Sequence, residues 1–389
     1  MSEVNVGVIG VGDISDVYLA NLSRYGDVVR VTACASRHLD KAQEKARQYG
    51  IPTAYASAEE LIADPSVDIV LNLTTPDAHG ELNLAAVQAG KHVYSEKPLA
   101  PTFAEASRIM ELAEASGLSV GCAPDTFMGG RLQTCRRLID EGRLGDIVGA
   151  GAFVVTPGHE SFHPNPEFYY QRGAGPLLDL GPYYLHALLS LLGPVASCCA
   201  MTTRAFGRRT VHSQPRAGTV IEVDVDTHVA GTLKFVSGAV GSLITSFDVL
   251  DSELPRIEIY GTMGTICLKD VDPLDGPNIF GGDVLFRDEA SSRWKYMPRP
   301  REQPEWSTIP VEHQFTSTSH QSNSRGIGLV DMANAIRDGR EPRASGRMAL
   351  HTVEIMEGLL VSSAEERFYR LTTTFEQPDA LPVSDPLRP

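Results

Sequence analysis

Four groups of residues carry chemistry by their types and spacing. The first is a glycine turn, Gly10-Val11-Gly12-Asp13-Ile14-Ser15, directly after the apolar run at 5–9. The first glycine permits a tight turn and the second lets a pyrophosphate approach the backbone. The helix start that follows offers unpaired N–H groups to phosphate oxygens. Ser15 stands where a third glycine is usual. The second group is Ser36-Arg37, at the end of the second apolar run. No acid is present there to bind a ribose 2′-hydroxyl, and a hydroxyl beside a guanidinium suits a 2′-phosphate. The expected cofactor is therefore NADP or NAD, with NADP favoured. The third is Lys97, which follows the apolar residues His92-Val93-Tyr94 and precedes Pro98. An ammonium at a strand's carboxyl end projects into the crevice where ligands of open α/β sheets bind. There it can hydrogen-bond a reacting oxygen or shuttle a proton, and Pro98 restricts the backbone just after it. The fourth is the apolar segment 173–192, with Asp179, Tyr183 and His186. Asp179 and Tyr183 are four apart and share one helix face, while His186 is three from Tyr183.

A fifth pattern points away from its surface meaning. His159-Glu160-Ser161-Phe162-His163 has the spacing of a zinc peptidase motif, but that chemistry needs a helix. Pro157-Gly158 before it and Pro164-Asn165-Pro166 after it oppose one. No metal is expected. The segment reads as a loop whose His159, His163 and Tyr170 are candidate sugar contacts, because aromatic faces with polar groups suit carbohydrate.

The elements that must position these residues follow from periodicity. Short apolar runs at 5–9, 28–35, 68–73, 92–95 and 119–122 alternate with helical patterns at 16–25, 39–49, 80–89 and 102–116. Such alternation predicts a parallel, doubly wound α/β sheet. A strand is expected at 148–156. After residue 195 the pattern turns to β, with runs at 195–203, 227–235, 239–247, 256–260 and 265–268. Val236-Ser237-Gly238 predicts a hairpin between two of them. The stretch 204–218 reads as an exposed polar loop, 302–321 as irregular, 329–337 and 348–366 as helices, and the proline-bearing tail as extended or disordered.

Bulk properties bound the rest. A length of 389 residues is too long for one ordinary core. The net charge is −15 without a dense basic block, which argues against a nucleic-acid partner. Six scattered cysteines without a CxxC pair suit a reducing compartment. No apolar run is long enough to cross a membrane, and no signal peptide is read at the start, so a cytoplasmic protein is expected.

Together with the glycine turn, VLNLTTPDAH at 70–79 and AGKHVYSEKPL at 89–99 resemble the Gfo/Idh/MocA family (glucose–fructose oxidoreductase, inositol dehydrogenase and relatives). The resemblance implies a Rossmann domain followed by an α/β domain with a large, mainly antiparallel open sheet. It divides the chain into 1–125, 126–375 and a tail at 376–389. It implies a nicotinamide cofactor, held also by Thr74, Thr75, Pro76, His79, Glu96 and Lys97, and hydride transfer at a carbohydrate, polyol or glycoside hydroxyl. By the same resemblance Lys97 lies near the nicotinamide, and Asp179 and Tyr183 take the places of an Asp-x-x-x-His pair. Tyr183 stands where histidine is usual, and His186 is a candidate substitute or substrate contact. A homo-oligomer formed through the open sheet is a further implication. A redox-neutral enzyme that retains its cofactor is the alternative reading.

Overall fold

The computed structural model describes residues 3–270, 278–291, 305–319, 321–384 and 387. They pack into two compact units. One comprises Met1–Gly130, His313–Val353 and Pro378–Pro389, the other Arg131–Glu312 and Glu354–Gln377.

The first unit begins with β1 (Val4–Ile9), α1 (Asp13–Leu22), β2 (Val29–Ala35), α2 (Leu39–Tyr49), β3 (Thr53–Tyr55) and α3 (Ala58–Ile62). It continues through β4 (Ile69–Asn72), α4 (Pro76–Gln88), β5 (His92–Ser95), α5 (Phe103–Ala115) and β6 (Val120–Cys122). The strands form a parallel sheet in the order β3-β2-β1-β4-β5-β6. All four residues of β4 are buried, as expected of a parallel strand covered on both faces. Helix ends follow local chemistry. Gly50 closes α2 in the left-handed region, and the hydroxyls of Ser57 and Thr102 accept N–H groups at the starts of α3 and α5. Pro76 opens α4, so that helix starts four residues before the predicted position. The strand order reverses between β1 and β4. The loops after β1, β4 and β5 are therefore neighbours on the carboxyl edge of the sheet, at the switch point where such folds bind ligands.

The second unit starts with α6 (Gly130–Asp140), a helix the sequence pattern did not announce, then β7 (Ile147–Val155) and α7 (Pro176–Leu192). Next come β8 (Val195–Thr203), β9 (Arg208–Thr210), β10 (Val220–Glu222), β11 (His228–Phe235), β12 (Val240–Ser246), β13 (Ile257–Gly261), β14 (Gly264–Leu268), β15 (Val284–Asp288) and β16 (Ser307–Ile309). The first unit then resumes with α8 (Ile327–Asp338) and the start of α9 (Gly346–Glu365), and β17 (Tyr369–Arg370) completes the second. Among the described residues its main sheet has the order β16-β15-β14-β13-β7-β12-β11-β8-β17, antiparallel except for the β7–β12 pair. Strand alternation separates two faces. Val229, Leu233, Leu243, Ala152, Ile257 and Ile259 are buried on one, which α7 covers. Phe153, Ala230, Ile244, Tyr260 and Met201 lie on the other, where exposure rises to 82% at Met201.

The stretch expected as an exposed loop at 204–218 instead carries β9, paired with β10, and its Arg209 is buried. Part of 302–321 lies outside the described residues; β16 falls within the rest. The tail forms no helix or strand over 376–384 but is packed, with Leu381 buried and Arg343 donating to the carbonyl of Asp379. All six thiols are free. No helix among the described residues is long and apolar enough to cross a membrane.

Candidate active site

The glycine turn sits between β1 and α1. Gly10 has φ +93°, and a side chain there would place Cβ 2.7 Å from the Leu73 carbonyl oxygen, so the chain itself requires glycine. Gly12 differs. It has an ordinary φ of −75°, and no protein atom lies within 4 Å of where its Cβ would be. Nothing within the chain demands glycine there, and the open space beside it leaves room for a group brought in from outside. No side chain caps α1, so the N–H groups of its first turn, beginning at Asp13 and Ile14, remain for an anion. Ser15 fits in place of a third glycine because it is small and turns inward, its hydroxyl donating to the Gly12 carbonyl at 2.6 Å. These features fit a dinucleotide pyrophosphate. At the end of β2, Arg37 is exposed and the Ser36 hydroxyl accepts the His38 N–H.

The loops after β4 and β5 are tied together from beneath. His79, wholly buried on α4, places Nδ1 2.7 Å from the Pro98 carbonyl and Nε2 3.0 Å from the Thr74 carbonyl. Burial lowers its pKa, partly countered by those two carbonyls. Asn83 donates to Ser95 and to the Leu99 carbonyl and accepts from Asn72, which also receives the Thr74 hydroxyl. Thr75 and Pro76 are exposed at the start of α4. Glu96 is buried. Its carboxylate accepts the Tyr18 hydroxyl at 2.8 Å and the Lys97 N–H at 2.9 Å, and Arg325 approaches to 3.9 Å. His79 and Glu96, both expected among the cofactor contacts, thus turn their polar atoms inward and brace the loops. Lys97 is left half-buried at the carboxyl end of β5, joined to Pro98 by a cis peptide bond.

In the second unit Asp179 and Tyr183 lie on one face of α7, Asp179 half-buried and Tyr183 buried. Pro182 has no N–H to offer the carbonyl of Leu178 four residues back, so the helix ladder is interrupted beside this pair. The HExxH segment forms a 3₁₀ turn, His159–Ser161, and then irregular chain. His159 is buried and its Nε2 lies 3.4 Å from an Asp179 carboxylate oxygen. Its ring stacks on Tyr169 with centroids 4.0 Å apart and meets Phe247 edge-on at 4.6 Å. His163, half-buried, packs against Phe168 and Tyr169 instead. Tyr170, expected to meet a sugar, is wholly buried. Its hydroxyl donates to Glu160 and accepts the His159 N–H, and burial with the Glu160 contact pushes its pKa well up. His186 is buried two turns along α7. Beneath the loop Arg209 pairs with both Glu160 and Asp248, and Asp248 also accepts the Thr227 hydroxyl.

Sequence reasoning missed Tyr18, Asn72, Asn83, Arg209 and Arg325. Tyr18, Arg209 and Arg325 are bonded to residues far along the chain, so no local spacing marks them, while Asn72 and Asn83 join β4 to the helix that follows it.

The comparisons with known proteins agree with this fold. A profile for an oxidoreductase family with an NAD-binding Rossmann fold matches residues 4–123, and the GFO/IDH/MocA C-terminal domain profile matches 132–267. The chain belongs to the GFO/IDH/MocA oxidoreductase family. Myo-inositol 2-dehydrogenase of Thermotoga maritima is 26% identical over 268 residues, covering 69% of this chain and 76% of that protein. A 1,5-anhydro-D-fructose reductase of Ensifer adhaerens is 28% identical over 273 residues, covering 68% and 75%. Levoglucosan dehydrogenase in complex with NADH superposes with a TM-score of 0.79 at 20% identity, over 96% of this chain and 100% of that one. At that identity the likeness speaks for the GFO/IDH/MocA fold alone.

Proposed function

We propose that this protein is an NAD(P)-dependent dehydrogenase of sugars, polyols or glycosides, in which Lys97, Asp179 and Tyr183 handle the proton released when a hydroxyl is oxidised. The observation that carries the reading is Gly12: open space before an uncapped helix, on the same sheet edge as Lys97. Gly10, Gly12 and the first turn of α1 would hold a nicotinamide dinucleotide, with Thr74, Thr75 and Pro76 lining the neighbouring loop. Once bound, the nicotinamide supplies the hydride acceptor or donor. Arg37, exposed after β2, supports a preference for the 2′-phosphate of NADP. Lys97 hydrogen-bonds the reacting oxygen, Tyr183 relays its proton, and Asp179 orients the substrate and the phenol. Sugar and polyol chemistry is drawn from relatives such as the inositol dehydrogenase.

The face of the large sheet that bears Phe153, Ile244, Tyr260 and Met201 supports a further part of the proposal, that a second copy of the chain covers it.

The test is a screen of polyols, aldoses and anhydro sugars with NAD⁺ and NADP⁺, read at the nicotinamide absorbance. Reduced cofactor should accumulate with at least one substrate, faster with NADP⁺. No reduction with either cofactor across the panel defeats the dehydrogenase reading.

A further inference from the structure

We propose that His159 is a positioning residue for Asp179, and that the two form one coupled ionisable pair through which the proton of substrate oxidation passes. This rests on the reading that Asp179 serves hydroxyl oxidation. The helix position four residues beyond Asp179 holds Tyr183, so α7 does not itself place an imidazole there. The loop after β7 does. His159 Nε2 lies 3.4 Å from Asp179 Oδ2, and the two side chains are 10% and 18% exposed.

The loop is built to hold the ring in place. Gly158, at φ +106°, makes the turn into it, and a side chain there would overlap Glu160, Arg209 and Tyr170. The Tyr170 hydroxyl accepts the His159 N–H at 3.0 Å. Tyr169 from the following 3₁₀ turn, Phe162 and Phe247 enclose the ring. Charged groups reach this region from α7, the loop itself, β9 and the chain after β12. Asp179 faces it from α7. Glu160, its chain neighbour, and Asp248, after β12, are both bound to Arg209. Glu160 and Asp248 thus share one guanidinium, which offsets one of their two charges, and the Asp179 carboxylate lies against the imidazole Nε2.

Oxidising a secondary alcohol breaks a C–H and an O–H bond. The hydride goes to the nicotinamide dinucleotide, and one proton remains. Imidazole titrates near neutrality, so the pair can take that proton through Asp179 as ionised carboxylate with imidazolium. The proton leaves to water when the ring returns to neutral.

Two measurements on the full-length protein test this. Histidine-labelled protein is titrated by NMR as wild type, Asp179→Asn and His159→Gln, the last assigning the resonance. The His159 midpoint should fall by about one unit when Asp179 loses its charge. A midpoint that ignores the substitution overturns the pair. Initial rates are then measured from pH 5 to 9 with myo-inositol, levoglucosan and D-glucose as probes and NAD⁺ or NADP⁺. His159→Gln should lower kcat about tenfold or more and displace the acid limb of the profile, leaving the cofactor KM unchanged. An unaltered kcat and profile overturn the role. If the wild type oxidises no probe, the dehydrogenase reading falls, while the titration still decides whether the pair exists.

Discussion

At the residue scale, two glycines separated by one valine do different work. Gly10 is required by the chain: its φ and the Leu73 carbonyl leave no room for Cβ. Gly12 is free of both constraints. Gly10→Ala should therefore destabilise the fold by about 1–3 kcal/mol, seen as a lowered Tm. Gly12→Ala should leave Tm within a degree or so and weaken dinucleotide binding tenfold or more in a fluorescence titration. Equal losses of Tm in both variants would refute the distinction. The glycines were legible in the sequence because they lie between an apolar run and a helical pattern. What braces Lys97 was not. Tyr18 and Glu96 are 78 positions apart and Arg325 is more distant still, and Tyr18 reads simply as one more apolar residue on α1. Tyr18→Phe leaves a buried carboxylate oxygen without its donor. It should cost about 1–3 kcal/mol in denaturant unfolding and lower kcat more than it changes cofactor affinity.

At the scale of elements, parallel strands announced themselves as apolar runs and helices as glycine-stopped periodic stretches, so five of the six strands of the first sheet were legible nearly to the residue, while the three half-buried residues of β3 were not. The second sheet was legible only as strands and one hairpin, β11–β12. Its β7–β12 parallel pair and its β8–β17 closure join segments far apart in sequence, and pairing of that kind leaves no local mark. The HExxH loop was read rightly as a loop. Its organiser, Arg209, lay hidden in a stretch that looked exposed because it is polar. That arginine is 7% exposed and holds Glu160 and Asp248. Arg209→Leu strands two buried carboxylates, which should destabilise the second unit by about 3–5 kcal/mol at pH 7. Because a stranded carboxylate can be protonated, the loss should shrink as the pH is lowered towards 5. A loss below about 1 kcal/mol at pH 7 would show that the pairs do not hold the loop.

At the scale of the whole molecule, one buried acid in the first unit makes stability depend on pH. Asp125 is wholly buried and accepts the N–H groups of Gly326 and Gly328 at the start of α8. Burial pushes its pKa up to about 6, against the lowering by those N–H groups and Arg325. Its folded value thus lies above the unfolded one. Between about pH 4 and pH 6 the folded state binds the extra proton, so this group's contribution falls as pH rises through that window, by up to about 3 kcal/mol. Asp125→Asn should gain on the wild type across the same window, and a constant difference between the two would contradict the assignment. The open sheet face predicts that light scattering finds at least a dimer and that Ile244→Glu shifts it towards monomer; an unchanged mass would point to another interface.

The central claim is that Lys97 and Tyr183 act on the reacting hydroxyl rather than on the cofactor. Its most direct test is steady-state kinetics of Lys97→Met and Tyr183→Phe beside dinucleotide titrations of the same proteins. Each variant should lose ~10²–10⁴ in kcat/KM for the sugar or polyol while binding the dinucleotide as tightly as the wild type. Turnover within twofold of wild type in both variants would contradict the account.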